Sequence, residues 1–301
     1  MRLGLPPLSG NAEGALWALV SVLGATAMTL AVRFLSADLH SSMLAFLRSA
    51  LALVALLPFL SAATRRRRVR ITAWKLHLAR GLLLAVTLNA GFYAIWKLPL
   101  AVSTILFFLA PVFATVLARP LLGETVGPRR WAATIAGLLG TLIILRPGIG
   151  AIEPAMLAAL VSSLAFACAL MLGRLITERD GTDGVFVSSS VIVAIATLPP
   201  ALVHWEIPLG VWQWAMIAVL VTGSSVRTYA DIRAYASGDA GFVAPFTYLR
   251  LVTVGGAGWL LFGEAIDRPT LAGGAIIIAS TLYIAIRERK RRGRPRPVQT
   301  P

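Results

Sequence analysis

Arg250 stands in "FTYLRLVTVGG", near the middle of an otherwise apolar run. An arginine there has two uses. Its guanidinium can hold an anionic substrate group such as a carboxylate, or it can serve the fold through an ion pair or hydrogen bonds to helix ends. A charge at the centre of a bilayer costs at least about 2.5–3.5 kcal/mol on insertion scales, so contact with lipid is disfavoured. No buried carboxylate partner is evident in the sequence, which favours a cavity. Catalytic sets are missing. The chain has no His-Glu-x-x-His, no Gly-x-Ser-x-Gly, no clustered carboxylates and no P-loop. Its single cysteine, Cys168, allows no internal disulfide and no cysteine-based metal site. The expectation is a binding protein that is not an enzyme and needs no cofactor or metal.

Other candidates have helical spacing. Thr26 and Thr29 lie in "GATAMTL", where each either lines a cavity or bonds back to its own helix. Asn89 and Tyr93 are four apart and share a face. Asn89 either staples two helices or faces a cavity. Ser103 shares a face with Phe107, and Thr104 with Phe108. Phe166 sits with Ser162, Ser163 and Cys168, where small polar residues also suit helix packing. Tyr229 follows Asn89 by 140 positions and is a cavity candidate. Phe246 and Tyr248 precede Arg250. These aromatics with one arginine suit a planar or apolar molecule carrying a negative group, although aromatics also fill membranes. Pro111 and Pro245 each remove an N–H inside an apolar run and mark bends or hinges. Arg227 and Asp231 are spaced to pair across one turn, but their place near a run end favours snorkelling to the interface. Arg48 is read as snorkelling or structural.

The elements that position these residues follow from composition. Apolar residues make up 57% of the chain and charged ones only 14%, against roughly 25% charged in soluble domains. The mean hydropathy is +0.79. Ten apolar runs recur at about 14–32, 42–62, 74–96, 99–118, 130–146, 155–173, 185–203, 210–230, 240–262 and 269–286, near the length that a bilayer span needs. The net charge of +15 is not a nucleic-acid signature, because the basic residues cluster between runs and in "RERKRRGRPRP". With the N-terminus inside, Arg65, Arg66, Arg67, Arg68, Arg70, Arg119, Arg129, Arg130, Arg174, Arg179 and Arg233 fall on the cytoplasmic side with the tail. Arg33, Lys97, Arg146 and Arg268 fall outside. Both termini are then cytoplasmic, and the basic face meets anionic lipid.

Two stretches repeat a theme: "LLGETVGPRR" at 121–130 and "LLFGEAIDRPT" at 260–270, with Gly123 and Gly263 140 positions apart. Each Gly-Glu lies between the fourth and fifth span of a five-span half. Five is odd, so the second half runs upside down, with Glu124 inside and Glu264 outside, as in transporters built from inverted repeats. The expected fold is an all-α integral membrane protein of ten transmembrane helices in two inverted five-helix repeats. Its parts are a cytoplasmic segment 1–13, a first repeat 14–146, an outer connection 147–154, a second repeat 155–286 and a basic tail 287–301.

Over about residues 14 to 286 the chain resembles the drug/metabolite transporter superfamily, EamA branch. The likeness rests on "PVFATVLARPLLGETVGPRRWAATIAGLLGTLIILRPG", "GFVAPFTYLRLVTVGGAGWLLFGEAIDRPTLAGGAIIIASTLYI", "FLRSALAL" and "GFYAIWKLPLAVSTIL". The resemblance implies a central cavity lined by spans 1, 3, 4, 6, 8 and 9, with spans 5 and 10 at the periphery. One departure stands out. The second half has Leu251 where the first has Pro111, so the halves need not bend alike. Gly137, Gly140, Gly273 and Gly274 let spans 5 and 10 approach closely, within the chain or in a homodimer.

The expected function is alternating-access transport of small organic metabolites across the inner membrane. Export of amino acids or related aromatic or amphipathic compounds is the first reading. Import of a vitamin or nucleoside-like metabolite is the alternative, and a non-transporting membrane scaffold is the reading from another class. No acid lies at a span centre, so facilitated diffusion or exchange is expected rather than proton coupling.

Overall fold

Within a bilayer every backbone N–H and C=O must be satisfied inside the chain, so apolar runs of this length fold as helices. The structure, a computed structural model, describes residues 10–65, 70–122, 127–145, 153–238 and 240–292. These form eleven helices: α1 (Gly10–Leu35), α2 (Ser41–Arg65), α3 (Trp74–Lys97), α4 (Leu100–Phe107), α5 (Ala110–Leu122), α6 (Pro128–Leu145), α7 (Pro154–Val203), α8 (Val211–Ser237), α9 (Ala240–Thr247), α10 (Leu249–Phe262) and α11 (Arg268–Arg292). Among the described residues, Gly10–Leu35, Ser41–Pro58, Trp74–Lys97, Leu100–Leu117 and Pro154–Val203 are long and apolar enough to cross a membrane, by length and composition.

Two expected spans are split. Between α4 and α5, the amides of Phe108 and Leu109 donate to the carbonyls of Ile105 and Leu106 at 3.0 and 3.2 Å, a tightened turn. Pro111 follows at once and has no N–H to continue the ladder. Between α9 and α10, Tyr248 N–H donates to Pro245 O at 3.2 Å and Leu251 N–H to Tyr248 O at 2.9 Å. The two prolines sit at different places, so the sequence suggested unlike bends. The breaks nevertheless fall at Phe108 and Tyr248, 140 positions apart like Gly123 and Gly263. Their rings touch, with centroids 4.9 Å apart. The two prolines loosen the same region of each span from opposite sides of the break.

Two expected spans are joined. A straight helix of 50 residues would be about 75 Å long, more than twice the roughly 30 Å hydrocarbon core. α7 therefore turns, at Gly181, whose φ of 77° and ψ of 170° suit glycine alone. The connection expected between spans 6 and 7 is thus helical apart from this residue. Both limbs of α7 pack on α3. Ser162 Oγ donates to Thr87 O at 2.8 Å on the first limb, and Ile192 on the second fills the space beside Gly81.

Two pairs of helices meet through glycine. A Cβ on Gly24 of α1 would lie 2.8 Å from Gly223 O of α8, and one on Gly223 would lie 2.9 Å from Gly24 O. In the same way Gly140 of α6 and Gly273 of α11 leave no room for a side chain between them. The glycines considered for a homodimer are therefore used within the chain. One buried cluster centres on α1, α2, α3 and α8, and another on α3, α4, α6, α7 and α11; Phe107 packs against both. α4 packs on α10, whereas α5 and α9 make no comparable contact among the described residues. α11 runs to Arg292, so the basic segment expected as a tail from Arg287 begins as helix.

Candidate functional site

A polar seam runs between α1, α2, α8 and α10. On α10, Arg250 Nη2 donates to Thr29 Oγ1 of α1 at 3.4 Å, while its buried Nε has no hydrogen-bond partner. One turn along, Thr253 Oγ1 meets Thr26 Oγ1 at 2.7 Å. Thr26 and Thr29 also donate to the carbonyls of Val22 and Ala25 in their own helix, both at 2.8 Å. On α8, Asp231 accepts a short hydrogen bond from Ser21 of α1 and lies 3.7 Å from Arg227 Nε. Arg48 of α2 completes the seam: its buried Nε is unpartnered and it is repelled by Arg227. Arg250 feels repulsion from Arg227 and attraction to Asp231.

Three sequence readings change here. Arg48 is turned into the protein beside Arg227 instead of snorkelling. Arg227 and Asp231 belong to the seam, since Ser21 anchors the carboxylate to α1. Arg250 does have an acid in its field, Asp231. Sequence reasoning missed this because the two residues lie on different helices and Asp231 sits near a run end.

The other candidates divide into groups. Phe108 and Tyr248 meet at the two span breaks, and Tyr248 donates a short hydrogen bond to Thr281 of α11. Phe107 packs between the two clusters. Asn89 donates from Nδ2 to Ala85 O at 3.0 Å and leaves its buried Oδ1 without a partner. Tyr93 lies edge-on to Trp96, with centroids 6.1 Å apart. Ser103 is buried and bonds back to Leu100 O at 3.0 Å, so its hydroxyl serves its own helix. Phe166 is half-buried on α7. Phe246 packs on the small cluster of Ala18, Ala234 and Val243. Pro111 and Pro245 are exposed. Tyr229 stands apart: it is 56% exposed and lies edge-on to Trp17. Two residues along a helix is about 200° of rotation, which puts Tyr229 on the flank of α8 opposite Asp231. Mapping it from Asn89 by the repeat carried over the position but not the helical phase.

At one end of the bundle the second Gly-Glu acquires a role. Gly263 ends α10 in the left-handed conformation, φ 65°, and Glu264 N–H returns to Gly258 O at 3.1 Å, a glycine-capped helix end. The chain reversal aims the Glu264 carboxylate inward. It accepts from Arg33 Nη2 of α1 at 2.7 Å and from the Leu100 amide, at the start of α4, at 2.6 Å. Arg33 also donates to the carbonyls of Ile95 at 3.1 Å and Leu98 at 3.3 Å. Sequence reasoning counted Arg33 only as a topology marker. Beside this knot lies a cleft of about 390 Å³ bordered by Pro99, Glu153, Met156, Glu264 and Asp267. The first Gly-Glu, Gly123–Glu124, lies outside the described residues.

At the opposite end, Asp180 is buried just before the Gly181 turn. Its carboxylate accepts from the backbone amides of Thr72 and Ala73, both at 3.0 Å, and from the Thr72 hydroxyl. His77 Nε2 lies 2.9 Å from the same carboxylate, and His77 Nδ1 lies 2.6 Å from Ser188 Oγ. The Thr72 hydroxyl and the Ala73 amide, above all, hold Asp180 well below the usual carboxylate range. This knot ties the start of α3 to the turn of α7.

Known proteins agree with this architecture. The chain is 28% identical over 274 residues to an S-adenosylmethionine uptake transporter of Rickettsia bellii (strain RML369-C), covering 91% of this chain and 94% of the relative. It is 28% identical over 289 residues to a riboflavin transporter of Vibrio cholerae serotype O1, covering 95% and 97%. A pseudopaline exporter of Pseudomonas aeruginosa is 25% identical over 277 residues, covering 91% and 96%. A solved crystal structure shares the fold with a TM-score of 0.61 at 18% identity, over 94% of this chain and 99% of the other. The chain is a multi-pass membrane protein and a transporter of small metabolites, not an enzyme. The model of the EamA-like transporter family matches residues 12–146 and again 153–286, and the chain belongs to that family.

Proposed function

We propose that the protein is a secondary carrier that takes up a small organic metabolite across the inner membrane by alternating access. Relatives at 28% identity are named for uptake of S-adenosylmethionine, which carries a nucleoside, and for transport of riboflavin, a vitamin. Those are the two classes of the import alternative, and they favour it over an exporter of amino acids. The pseudopaline relative keeps export as the second reading. In the architecture proposed here, ten spans form two inverted repeats, 14–146 and 155–286. Residues 147–154 connect them outside, and both termini are cytoplasmic.

One observation carries this reading: two broken spans whose breaks stand 140 positions apart meet ring to ring at Phe108 and Tyr248. Broken helices around a midplane site are how inverted-repeat carriers bind and then rock. Transport is tested in proteoliposomes with labelled S-adenosylmethionine, riboflavin and an amino-acid panel, as uptake and as counterflow. Saturable exchange of one class supports a carrier; no flux with correctly inserted protein returns the scaffold reading. A rate unaffected by an uncoupler supports facilitated diffusion or exchange. The inverted arrangement is tested by single cysteines at 124 and 264 in a Cys168→Ser background. Labelling of both from one side of the membrane rejects it.

A further inference from the structure

We infer that Arg48, Arg227 and Arg250 form an oxyanion site, which grips a carboxylate or phosphate of the transported metabolite. The inference rests on the carrier reading above and deepens it to a substrate class.

Charge balance is the first reason. The seam holds three guanidiniums and one carboxylate, Asp231, with Arg227 repelling both Arg48 and Arg250. Evolving an ion pair for structure alone would match charges; here two positive charges are left without a partner acid among the described residues of the seam. Unbalanced buried charge is costly, and an incoming anion removes that cost. Unsatisfied donors are the second reason. The Nε atoms of Arg48 and Arg250 are buried and unpartnered, and Arg250 reaches Thr29 only at 3.4 Å. Arg33, by contrast, spends its guanidinium on carbonyls and on Glu264. The same fork is suited to a bidentate oxyanion.

Asp231 has its own place in the site. Ser21 fixes it and Arg227 flanks it. With Arg227 engaged on Asp231, Arg250 and Arg48 are left as the principal grip.

The test uses purified full-length protein and four probes at matched ionic strength: benzoate, phenyl phosphate, benzamide and chloride. Thermal unfolding reports binding. The expected result is stabilisation by benzoate or phenyl phosphate and none by benzamide or chloride; the two oxyanion arms tell carboxylate from phosphate. Arg250→Ala and Arg48→Ala should each weaken the effect by at least ~10-fold, the scale of a lost charge-assisted hydrogen bond, with Arg250→Lys intermediate because a point charge replaces the fork. Asp231→Asn should bind the oxyanions at least as well as wild type. Equal shifts with benzamide, or oxyanion shifts that survive in Arg250→Ala and Arg48→Ala, overturn the proposal. If the alanine variants do not yield folded protein, Arg250→Lys and Arg48→Lys decide it, and wild-type binding in both overturns it. Counterflow of neutral metabolites without preference for acids leaves the carrier standing and sinks the oxyanion site. Oxyanion binding without any flux does the reverse.

Discussion

The two ends of the bundle solve a similar problem in different ways. Each holds a carboxylate largely out of solvent and satisfies it with at least one backbone amide and a basic side chain. At the Glu264 end, the acid joins α10 to α1 and to the start of α4, helices that belong to the two separate family matches. At the Asp180 end, the acid sits in the turn of one long helix and holds the start of α3 against it. The first knot draws α4 and α10 together, while α5 and α9 at the other end of the same broken spans have no comparable contact among the described residues. The second is made by Thr72, Ala73, His77 and Ser188 and draws on none of those helices. The difference teaches that an acid can join two broken spans or merely fasten a turn, depending on which helices supply its donors.

Breaking the Glu264 knot should have the largest effect. Glu264→Ala leaves Arg33 partly buried without its acid and frees the Leu100 amide. A loss of about 3 kcal/mol or more is expected, read as a fall in unfolding midpoint in detergent. The double variant Arg33→Ala/Glu264→Ala should lose less than the two single losses added, because the two sites share one interaction. Additive losses would show that the pair is not coupled and that the comparison of the two ends fails.

Asp180→Asn should come next, and it should differ from the first in its dependence on pH. The folded structure depresses the Asp180 pKa. Its contribution is therefore complete above the unfolded value of about 4 and is lost as pH falls toward the folded value. Wild type should approach the variant in stability on acidification, whereas at neutral pH the variant should be clearly weaker. A constant gap across pH would remove the carboxylate from the account. In the carrier proposed above, this variant should keep the relative rates of uptake and release, since its donors lie off α4 and α10.

Tyr248→Phe is a smaller probe of the meeting point of the breaks. It removes the hydrogen bond to Thr281 and keeps the ring against Phe108, so about 1 kcal/mol is expected. Thr281 still bonds to Ile277 O, which limits the cost. A much larger loss would mean that the hydroxyl positions more than one helix. The smallest change should come from His40, which stacks on His204 with centroids 3.7 Å apart at the Glu264 end. Burial, His204 and Lys97 lower its pKa, with Glu206 opposing them. Its stabilising contribution is therefore present above the unfolded value of about 6.5 and is lost as pH falls. A slight drop in unfolding midpoint from pH 7 to 5 should vanish in His40→Asn.

Much of the architecture was legible as hydropathy. Apolar runs long enough for a bilayer have few alternatives to helix, so their existence was secure and only their ends were not. α8 runs on to Ser237 and α11 to Arg292 because charged and small residues extend a helix without an apolar signal to mark it. Arg250 was legible because a charge in an apolar run is rare enough to need a reason. Its surroundings were not, because Arg227, Asp231 and Thr29 meet it from two other helices, and no local spacing encodes that meeting. Glu264 was visible as half of a repeated motif, but its partner Arg33 lies 231 positions away. Tyr229 shows the limit of reasoning by internal duplication, which preserves the order of residues better than the face on which each one lies.

The crossing of Gly24 with Gly223 has a mechanical consequence. Two backbones in such contact, with Ser21 tethered to Asp231 close by, cannot slide or separate without opening a void that no side chain is long enough to fill. In the carrier proposed above, α1 and α8 would therefore travel as one plank, with the other helices swinging about it.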